Sequence, residues 1–284
     1  MDESELVLND RGALYHIDIL PGELAQTIIT VGDPGRVEMI ANHLDKVHLS
    51  RSHREFFTVT GEYDGQLLSV ISTGIGTDNI DIVLSEIDAS FNINLEQKLA
   101  KEKVTSLKFI RLGTSGALHP DIKIGDIVLS EFGVGLDNLL QFYPKNDQLR
   151  ISALEKKVER KISHPSYAHA GDEDLLKHFN NLGKRGITFS CPGFYGPQGR
   201  SLRLKVSTPN FLNDLQTIKH QGIPATNFEM ETSAIYGLSK LLGHQSISIS
   251  TILANRIHGT FSDNPSTCVN GMIEKALTAI KTLP

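Results

Sequence analysis

The sequence predicts a three-layer α/β domain, in which helices cover both faces of a β-sheet. Apolar, β-like segments alternate along the chain with amphipathic segments of helical spacing, and this alternation is typical of the class. A length of 284 residues with 39% hydrophobic content suits a single domain over residues 1–284 with a full core. No internal repeat is visible.

The individual elements follow from hydrophobic periodicity and turn residues. A hairpin signal, Tyr63-Asp64-Gly65-Gln66, separates two β-like segments. The charged run 96–103 is either the solvated end of a helix or a surface insertion, and 164–169 is predicted as a loop within a segment, 140–171, whose role stays open. The predicted strands are 26–31, 56–61, 67–72, 108–112, 126–130, 187–191 and 246–253, and the predicted helices are 36–44, 80–91, 152–162, 232–242 and 267–282.

Composition excludes several classes of function. A net charge of -5 gives no general attraction to nucleic acid or to an anionic membrane. The two cysteines form no disulfide framework. The N-terminus is acidic and lacks a signal core, and no apolar run reaches the roughly 18 residues that span a bilayer. The expected location is therefore the cytoplasm.

Two segments combine glycine with arginine near the ends of predicted strands. They are Val31-Gly32-Asp33-Pro34-Gly35-Arg36 and Arg111-Leu112-Gly113-Thr114-Ser115-Gly116. Glycine lets the backbone approach a ligand closely, and a guanidinium grips phosphate through two parallel donors. Two such turns at the carboxyl ends of strands predict a phosphate cradle, although each alone could be an ordinary turn with a solvated arginine.

The commoner phosphate loops are absent. The sequence has no G-x-x-x-x-G-K-[ST], and Asn79 occupies the third glycine position of the segment that begins Gly74-Ile75-Gly76. Neither a P-loop nucleoside triphosphatase nor a standard dinucleotide site is indicated.

Four further motifs accompany the two glycine segments: Ser52-His53-Arg54-Glu55-Phe56, Gly193-Phe194-Tyr195-Gly196-Pro197-Gln198-Gly199-Arg200, Asn227-Phe228-Glu229-Met230-Glu231 and Leu253-Ala254-Asn255-Arg256. In order and spacing the set resembles the nucleoside phosphorylase superfamily, which includes uridine phosphorylases and hexameric purine nucleoside phosphorylases. The likeness is greatest to the uridine phosphorylases and runs from about Tyr15 to the C-terminal helix.

This resemblance implies a nucleoside phosphorylase-like, three-layer α/β/α sandwich with a central mixed β-sheet. It implies reversible phosphorolysis of uridine to uracil and ribose 1-phosphate, with deoxyuridine and thymidine left open. Phosphate is then a co-substrate, and neither a cofactor nor a metal is expected. The implied assembly is a homo-oligomer, either a dimer or a hexamer.

The resemblance also implies roles for individual residues. Arg111, Glu231 and Arg200 are the expected catalytic residues. Phosphate is expected to bind at Gly32, Arg36, Arg111 and Thr114, with Arg54 reaching in from the neighbouring subunit. Ribose is expected to bind at Met230 and Glu231, with His16 supplied by the neighbouring subunit. The base is expected to bind at Phe194, Gln198 and Arg200. Glu229 could either support the ribose or cap a helix.

The chemistry agrees with these roles. Phosphorolysis breaks a C1′–N bond through a sugar with oxocarbenium character. Three arginines would hold phosphate below C1′, and positioning supplies a large part of the barrier reduction. Glu231 could accept hydrogen bonds from the 2′- and 3′-hydroxyls, or serve simply as a carboxylate at a helix N-terminus.

The leaving group separates the rival enzymes. A purine leaves more easily when N7 is protonated, and Asn255 stands where purine-acting relatives place an aspartate; an amide cannot be a general acid. Gln198 could pair with O2 and N3–H of uracil while Arg200 donates to O4, although Gln-x-Arg alone could be a solvated turn. A purine nucleoside phosphorylase, a nucleosidase that uses water and a non-catalytic binding protein are the alternatives.

One segment departs from the family pattern. The usual small residue or proline followed by serine is replaced here by Asp78 and Asn79. Asn79 is expected to cap the following helix, as serine would, whereas Asp78 would add negative charge near the phosphate. Cys191 is expected to be a packed core thiol, and a metal site at His164 and His169 lacks further ligands.

Overall fold

The computed structural model describes residues 1–284, and it contains fourteen strands and seven α-helices. The strands are β1 (Thr27–Val31), β2 (Lys46–His53), β3 (Phe56–Tyr63), β4 (Gln66–Ser72), β5 (Ile93–Asn94), β6 (Leu99–Ala100), β7 (Lys108–Ala117), β8 (Ile127–Gly135), β9 (Tyr167–Ala170), β10 (Lys184–Ser190), β11 (Lys219–His220), β12 (Ile223–Glu229), β13 (Gln245–Asn255) and β14 (Thr260–Phe261). The helices are α1 (Pro34–Ala41), α2 (Thr77–Asn92), α3 (Ser152–Ile162), α4 (Glu173–His178), α5 (Phe211–Gln216), α6 (Thr232–Leu242) and α7 (Pro265–Ile280).

All strands except β5 and β6 belong to one 12-stranded mixed sheet. β1 lies parallel between β4 and β7, and β13 runs parallel to β7 on its other side. The β2-β3-β4 meander is antiparallel and forms one edge. β12 pairs with β10 and also, antiparallel, with the far end of β7, so that β7, β13, β8, β10 and β12 close into a ring.

Alternating side chains on the strands bury the two faces of the sheet against different helices. On β1, Ile28 packs into the cluster built with α2 and α6, whereas Ile29 and Val31 pack into the cluster built with α1, α4 and α7. Each fully buried aliphatic side chain of this kind contributes roughly 1.5–3 kcal/mol. The three-layer α/β/α sandwich with a central mixed sheet predicted from the sequence is confirmed.

Local signals place several elements as predicted. Asp33 is the N-cap of α1: its carboxylate accepts from Gly35 N at 3.0 Å, and Pro34 occupies the first helical position. In the β3–β4 turn, Asp64 and Gly65 have positive φ angles of 51° and 77°, as a type I′ hairpin turn requires.

Other predictions need correction. The segment from Arg111 to Gly116 is not a turn: β7 continues to Ala117, because β13 pairs with it along its whole length. The charged run 96–103 is not the end of a helix, because α2 ends at Asn92 and residues 96–100 form the turn and second strand of the small β5–β6 hairpin. The predicted loop 164–169 contains the start of β9, which pairs with β8. No helix combines the length and apolar character needed to cross a membrane.

Candidate active site

The carboxyl ends of β1, β10 and β12 meet β7 around a cavity of about 320 Å³. Gly32 follows β1, Phe194, Gln198 and Arg200 lie on the loop after β10, and Glu231 follows β12. Every residue predicted for the site lines this cavity except His16 and Arg54. Four segments far apart in sequence are therefore brought together as predicted.

Arg111 lies at the centre of the cavity wall and is buried. Its Nη2 lies 2.5 Å from Glu231 Oε2 and 3.1 Å from Glu229 Oε2, and Nη1 donates to Ser250 Oγ at 3.3 Å. Burial alone lowers the pKa of Arg111, but the two carboxylates outweigh it and hold the pKa above its ordinary value. The guanidinium is therefore a fixed positive charge.

Glu229 is held by donors from several directions. Its carboxylate accepts from Ser190 Oγ at 2.6 Å and from the backbone N–H groups of Glu231 and Thr232 at 2.9–3.1 Å, in addition to its contact with Arg111. Glu229 therefore caps the first backbone N–H groups of α6. It also lines the cavity beside Arg111, and its support of the ribose stays a prediction.

Glu231 bridges the arginine and the start of α2. Its Oε1 accepts from Gly76 N at 2.8 Å while Oε2 contacts Arg111. Burial raises the pKa of Glu231, Arg111 opposes the rise, and the like charge of Glu229 adds to it, leaving the pKa above its ordinary value. A carboxylate oriented in this way can accept hydrogen bonds from neighbouring hydroxyl groups.

Arg36 supplies the second guanidinium. Its Nη1 donates to the carbonyl of Leu112 at 3.2 Å, and no carboxylate pairs with it. Burial and the nearby charge of Arg111 lower the pKa of Arg36. The Thr114 hydroxyl, on the same wall, makes no hydrogen bond within the chain and faces this end of the cavity with Gly32. This end is suited to an oxyanion.

The opposite end is formed by the loop after β10. Arg200 Nη1 donates to Gln198 Oε1 and to the carbonyl of Phe194, both at 2.6 Å, and its guanidinium lies 3.8 Å from the centre of the Phe194 ring. Gln198 is buried, and its amide nitrogen makes no hydrogen bond within the chain. Burial, followed by the charge of Arg256, lowers the pKa of Arg200 to about 10.

Arg256 also lies at this end of the cavity, a position that was not predicted from the sequence. Its Nη1 donates to the carbonyl of Gln198 at 2.9 Å, and its guanidinium lies 5.7 Å from the ring of Phe228, which lines the cavity. Arg256 thereby supports the loop that carries Gln198 and Arg200. Its position directly after Asn255, as the last residue of the Leu253–Arg256 motif, was the available signal.

Asn255, which was predicted to occupy the position of the purine general acid, does not line the cavity. Its Nδ2 donates to the carbonyls of His119 and Ile122 at 3.1 and 2.8 Å, and its Oδ1 accepts from the backbone N–H groups of Ile257 and His258. The amide is thus fully used in joining two loops. The structure gives Asn255 a structural role.

Asp78 and Asn79, the two residues that depart from the family pattern, lie in the first turn of α2. α2 begins at Thr77 with Gly76 as its N-cap and without a side-chain cap, so Asn79 lies inside the first turn and the prediction that it caps the helix is wrong. Its amide instead packs over Gly74, where a Cβ would lie 2.3 Å from Nδ2. Asp78 is exposed and does not line the cavity.

His16 and Arg54 lie away from this chain's own cavity. His16 Nδ1 and backbone N–H both bind the carboxylate of Glu86, with the Nδ1 contact at 2.5 Å. Arg54 is exposed and donates to Tyr15 Oη at 3.3 Å. Their expected service to a neighbouring subunit's site stays a prediction.

Two remaining expectations concern cysteine and metal. Cys191 is buried in the cluster formed with α3 and α5, and burial raises the pKa of its thiol well above the ordinary value. No group of three or more His, Cys, Asp or Glu side chains is arranged to hold a metal ion.

The chain is similar to known proteins over most of its length. A family model described as the phosphorylase superfamily matches residues 26–281. A uridine phosphorylase of Thermococcus kodakarensis is 31% identical over 255 residues, which are 89% of this chain and 81% of that protein. A DeoD-type purine nucleoside phosphorylase of Hahella chejuensis is 27% identical, with 94% and 98% covered.

Among solved structures, a Trypanosoma brucei nucleoside phosphorylase described as showing uridine phosphorylase activity superimposes with a TM-score of 0.85 at 28% identity, covering 98% of this chain and 100% of that one. This chain therefore belongs to the phosphorylase superfamily. Within it, the protein is an enzyme of the nucleoside phosphorylase class, a pentosyltransferase.

Proposed function

We propose that this enzyme is a uridine phosphorylase, which converts uridine and phosphate reversibly into uracil and ribose 1-phosphate. The observation that carries the proposal is the division of one cavity into two ends, with Arg36 and Arg111 at one end and the Gln198–Arg200 pair at the other. The names of the Thermococcus and Trypanosoma relatives support the same substrate.

Phosphate binds at the end formed by Gly32, Arg36, Arg111 and Thr114. Arg36 has no carboxylate partner, so its charge is available to an oxyanion. Arg111 is held in place by Glu229 and Glu231, which fixes the position of the nucleophile. A phosphate oxygen attacks C1′ of the ribose, and the electron pair of the C1′–N1 bond leaves with uracil.

The ribose lies between the two ends, against Met230 and Glu231. The Glu231 carboxylate accepts from the 2′- and 3′-hydroxyls, and its charge stabilises the oxocarbenium character of the sugar in the transition state. Its contacts with Arg111 and Gly76 set the direction of its lone pairs.

Uracil binds against Phe194, Gln198 and Arg200. The free amide nitrogen of Gln198 donates to O2, and Arg200 donates to O4, where negative charge develops as the base leaves. Arg256 holds this loop in position. No carboxylate lines the cavity at this end, which favours uracil over a purine that needs protonation at N7.

The assembly completes the site. Arg54 and His16 serve the neighbouring subunit, where Arg54 reaches phosphate and His16 reaches the ribose. The contact of His16 Nδ1 with the Glu86 carboxylate fixes the ring, and Nε2 has no hydrogen-bond partner within the chain. The protein then acts as a homo-oligomer, a dimer or a hexamer, in the cytoplasm.

A purine nucleoside phosphorylase is the second candidate, because DeoD-type enzymes match over nearly the whole chain. A substrate panel separates the two. Uridine, deoxyuridine, thymidine, inosine and adenosine are each incubated with and without phosphate, and cleavage is followed by ultraviolet absorbance. Uridine cleavage that requires phosphate and yields ribose 1-phosphate is expected; free ribose as the main product, or faster cleavage of inosine, would overturn the proposal.

The base end is tested by Arg200→Ala. Removing a charged donor from a developing oxyanion costs about 2–4 kcal/mol, a fall of roughly thirtyfold to a thousandfold in kcat/KM for uridine. The phosphate KM should change little, since Arg200 lies at the other end of the cavity. An unchanged kcat/KM would remove Arg200 from the proposed mechanism.

A further inference from the structure

A second cavity, of about 440 Å³, shares no lining residue with the active site. It lies where the segment 140–150 meets α3, β9 and the C-terminal end of α6. Four apolar side chains form part of its wall: Leu140, Pro144, Pro165 and Leu241. The remainder of the wall is polar.

His169, on β9, is a buried wall residue of this second cavity, with only 3% of its surface exposed. Neither ring nitrogen makes a hydrogen bond within the chain, and Nδ1 is sealed from solvent. Burial, with the charges of Lys240 and Arg150, lowers the pKa of His169 to about 4, so the ring is neutral near pH 7. A buried imidazole without a partner is costly, and Nε2 is the nitrogen left to meet a ligand.

Two cations face the same space with donors to spare. Arg150 uses Nε and Nη2 on the carboxylate of Glu155, while Nη1 has only the distant, exposed Asp147 at 4.0 Å. Lys145 is exposed and has no ion-pair partner. The single wall carboxylate, Glu159, already accepts from Ser166 N at 3.3 Å. Donors therefore exceed acceptors, as an anionic ligand requires.

A chain of buried hydrogen bonds joins this cavity to the active site. Tyr167, in the cavity wall, contacts the Asp137 carboxylate at 2.8 Å and Ser233 Oγ at 3.0 Å. Ser233 N donates to Ser190 Oγ at 2.9 Å, and Ser190 Oγ donates to Glu229 at 2.6 Å. Because Glu229 contacts Arg111, a shift at Tyr167 has a physical route to the phosphate end.

We propose that this second cavity is a regulatory site that binds a small organic anion, with its phosphate or carboxylate head at Lys145, Arg150 and His169 and its carbon skeleton against the apolar wall. The shared chemistry is an oxyanion on a compact carbon frame.

The test uses the full-length enzyme and two probes, glycerol 3-phosphate and glutarate, which distinguish a phosphate head from a carboxylate head. Calorimetric binding is compared for the unmodified protein, Lys145→Glu, His169→Leu and the control Lys275→Glu, which reverses an exposed charge on α7. At least one probe should bind, and Lys145→Glu should weaken it about tenfold or more through charge reversal. The control Lys275→Glu should bind the probe as the unmodified protein does. In the absence of probe, the KM for phosphate in the nucleoside reaction should be the same for Lys145→Glu as for the unmodified enzyme.

The coupling is measured as the effect of saturating probe on kcat/KM for whichever nucleoside the enzyme cleaves. Saturating probe is expected to change kcat/KM of the unmodified enzyme and to leave kcat/KM of Lys145→Glu unchanged. Failure of both probes to bind at millimolar concentration, binding that Lys145→Glu leaves intact, or binding without any effect on kcat/KM would each overturn the proposal. If His169→Leu fails to fold, Lys145→Glu still decides. The binding arm does not depend on uridine being the substrate, so the two proposals can fail separately.

Discussion

The position of Arg111 depends on the absence of a side chain at Gly113. Both residues lie on the same face of β7, two positions apart, and the guanidinium folds back over the glycine. A Cβ added at Gly113 would lie 1.7 Å from Arg111 Nη1 and 2.5 Å from Cζ. Gly113→Ala therefore displaces the guanidinium without removing any charge from the site.

The displacement can be estimated from the same geometry. Nη1 must move by more than about 1 Å before it reaches an ordinary contact distance from the added Cβ. It must do so while Glu229 and Glu231 hold the other guanidinium nitrogen, Nη2. A misplacement of about 1 Å in a positioning group costs on the order of 100-fold in rate. We expect kcat/KM for phosphate to fall by about that factor, with an overpacking cost to the free energy of unfolding of about 1–3 kcal/mol.

The assay varies phosphate at saturating nucleoside and records thermal unfolding in parallel. The matched control is Gly271→Ala, inside α7, where no atom beyond the helix's own neighbouring backbone and the adjacent residues lies within 4 Å of the added Cβ. Its kcat/KM should be unchanged and its free energy of unfolding raised by roughly 0.5–1 kcal/mol. A folded Gly113→Ala enzyme that keeps its kcat/KM for phosphate within about threefold would show that Arg111 is not a closely positioned phosphate ligand.

Three further predictions follow from the site. Asn255→Asp removes the two N–H donors that bind the carbonyls of His119 and Ile122, and should lower the free energy of unfolding by about 2–4 kcal/mol, as measured by denaturant unfolding. The same variant should gain no purine cleavage in an inosine assay. Because Glu229 raises the pKa of Glu231, the acid limb of the kcat/KM profile, where Glu231 gains a proton as the pH falls, should move to lower pH in Glu229→Gln; an unmoved limb would assign it to another group. Mixing inactive Arg54→Ala and Arg111→Ala subunits should restore some activity in hybrid oligomers, and no recovery despite confirmed exchange would count against shared sites.

Local signals were sufficient for much of the fold. The helices over residues 152–162 and 232–242 were predicted to the residue, because apolar periodicity and flanking breakers agree there. β2 was missed because it is a polar strand at the edge of the sheet, with only Val47 and Leu49 apolar and β3 as its single neighbouring strand. β9 was missed because its alternation is short and contains histidine.

The candidate site was predictable in its membership but not in its connections. Arginine and glycine residues near the ends of strands indicated that one end of the site binds an oxyanion. The antiparallel pairing of Asn227 with Ala117, however, closes the ring of strands beside Arg111. This pairing joins segments more than a hundred residues apart, and no local feature of the sequence indicates it. The same limit explains Asn255, whose partners His119 and Ile122 come from a distant loop. Residue type predicts which chemistry is possible, whereas long-range pairing decides which side chains are free to perform it. Arg36, with no carboxylate partner, is free for a ligand, whereas the Asn255 amide is not.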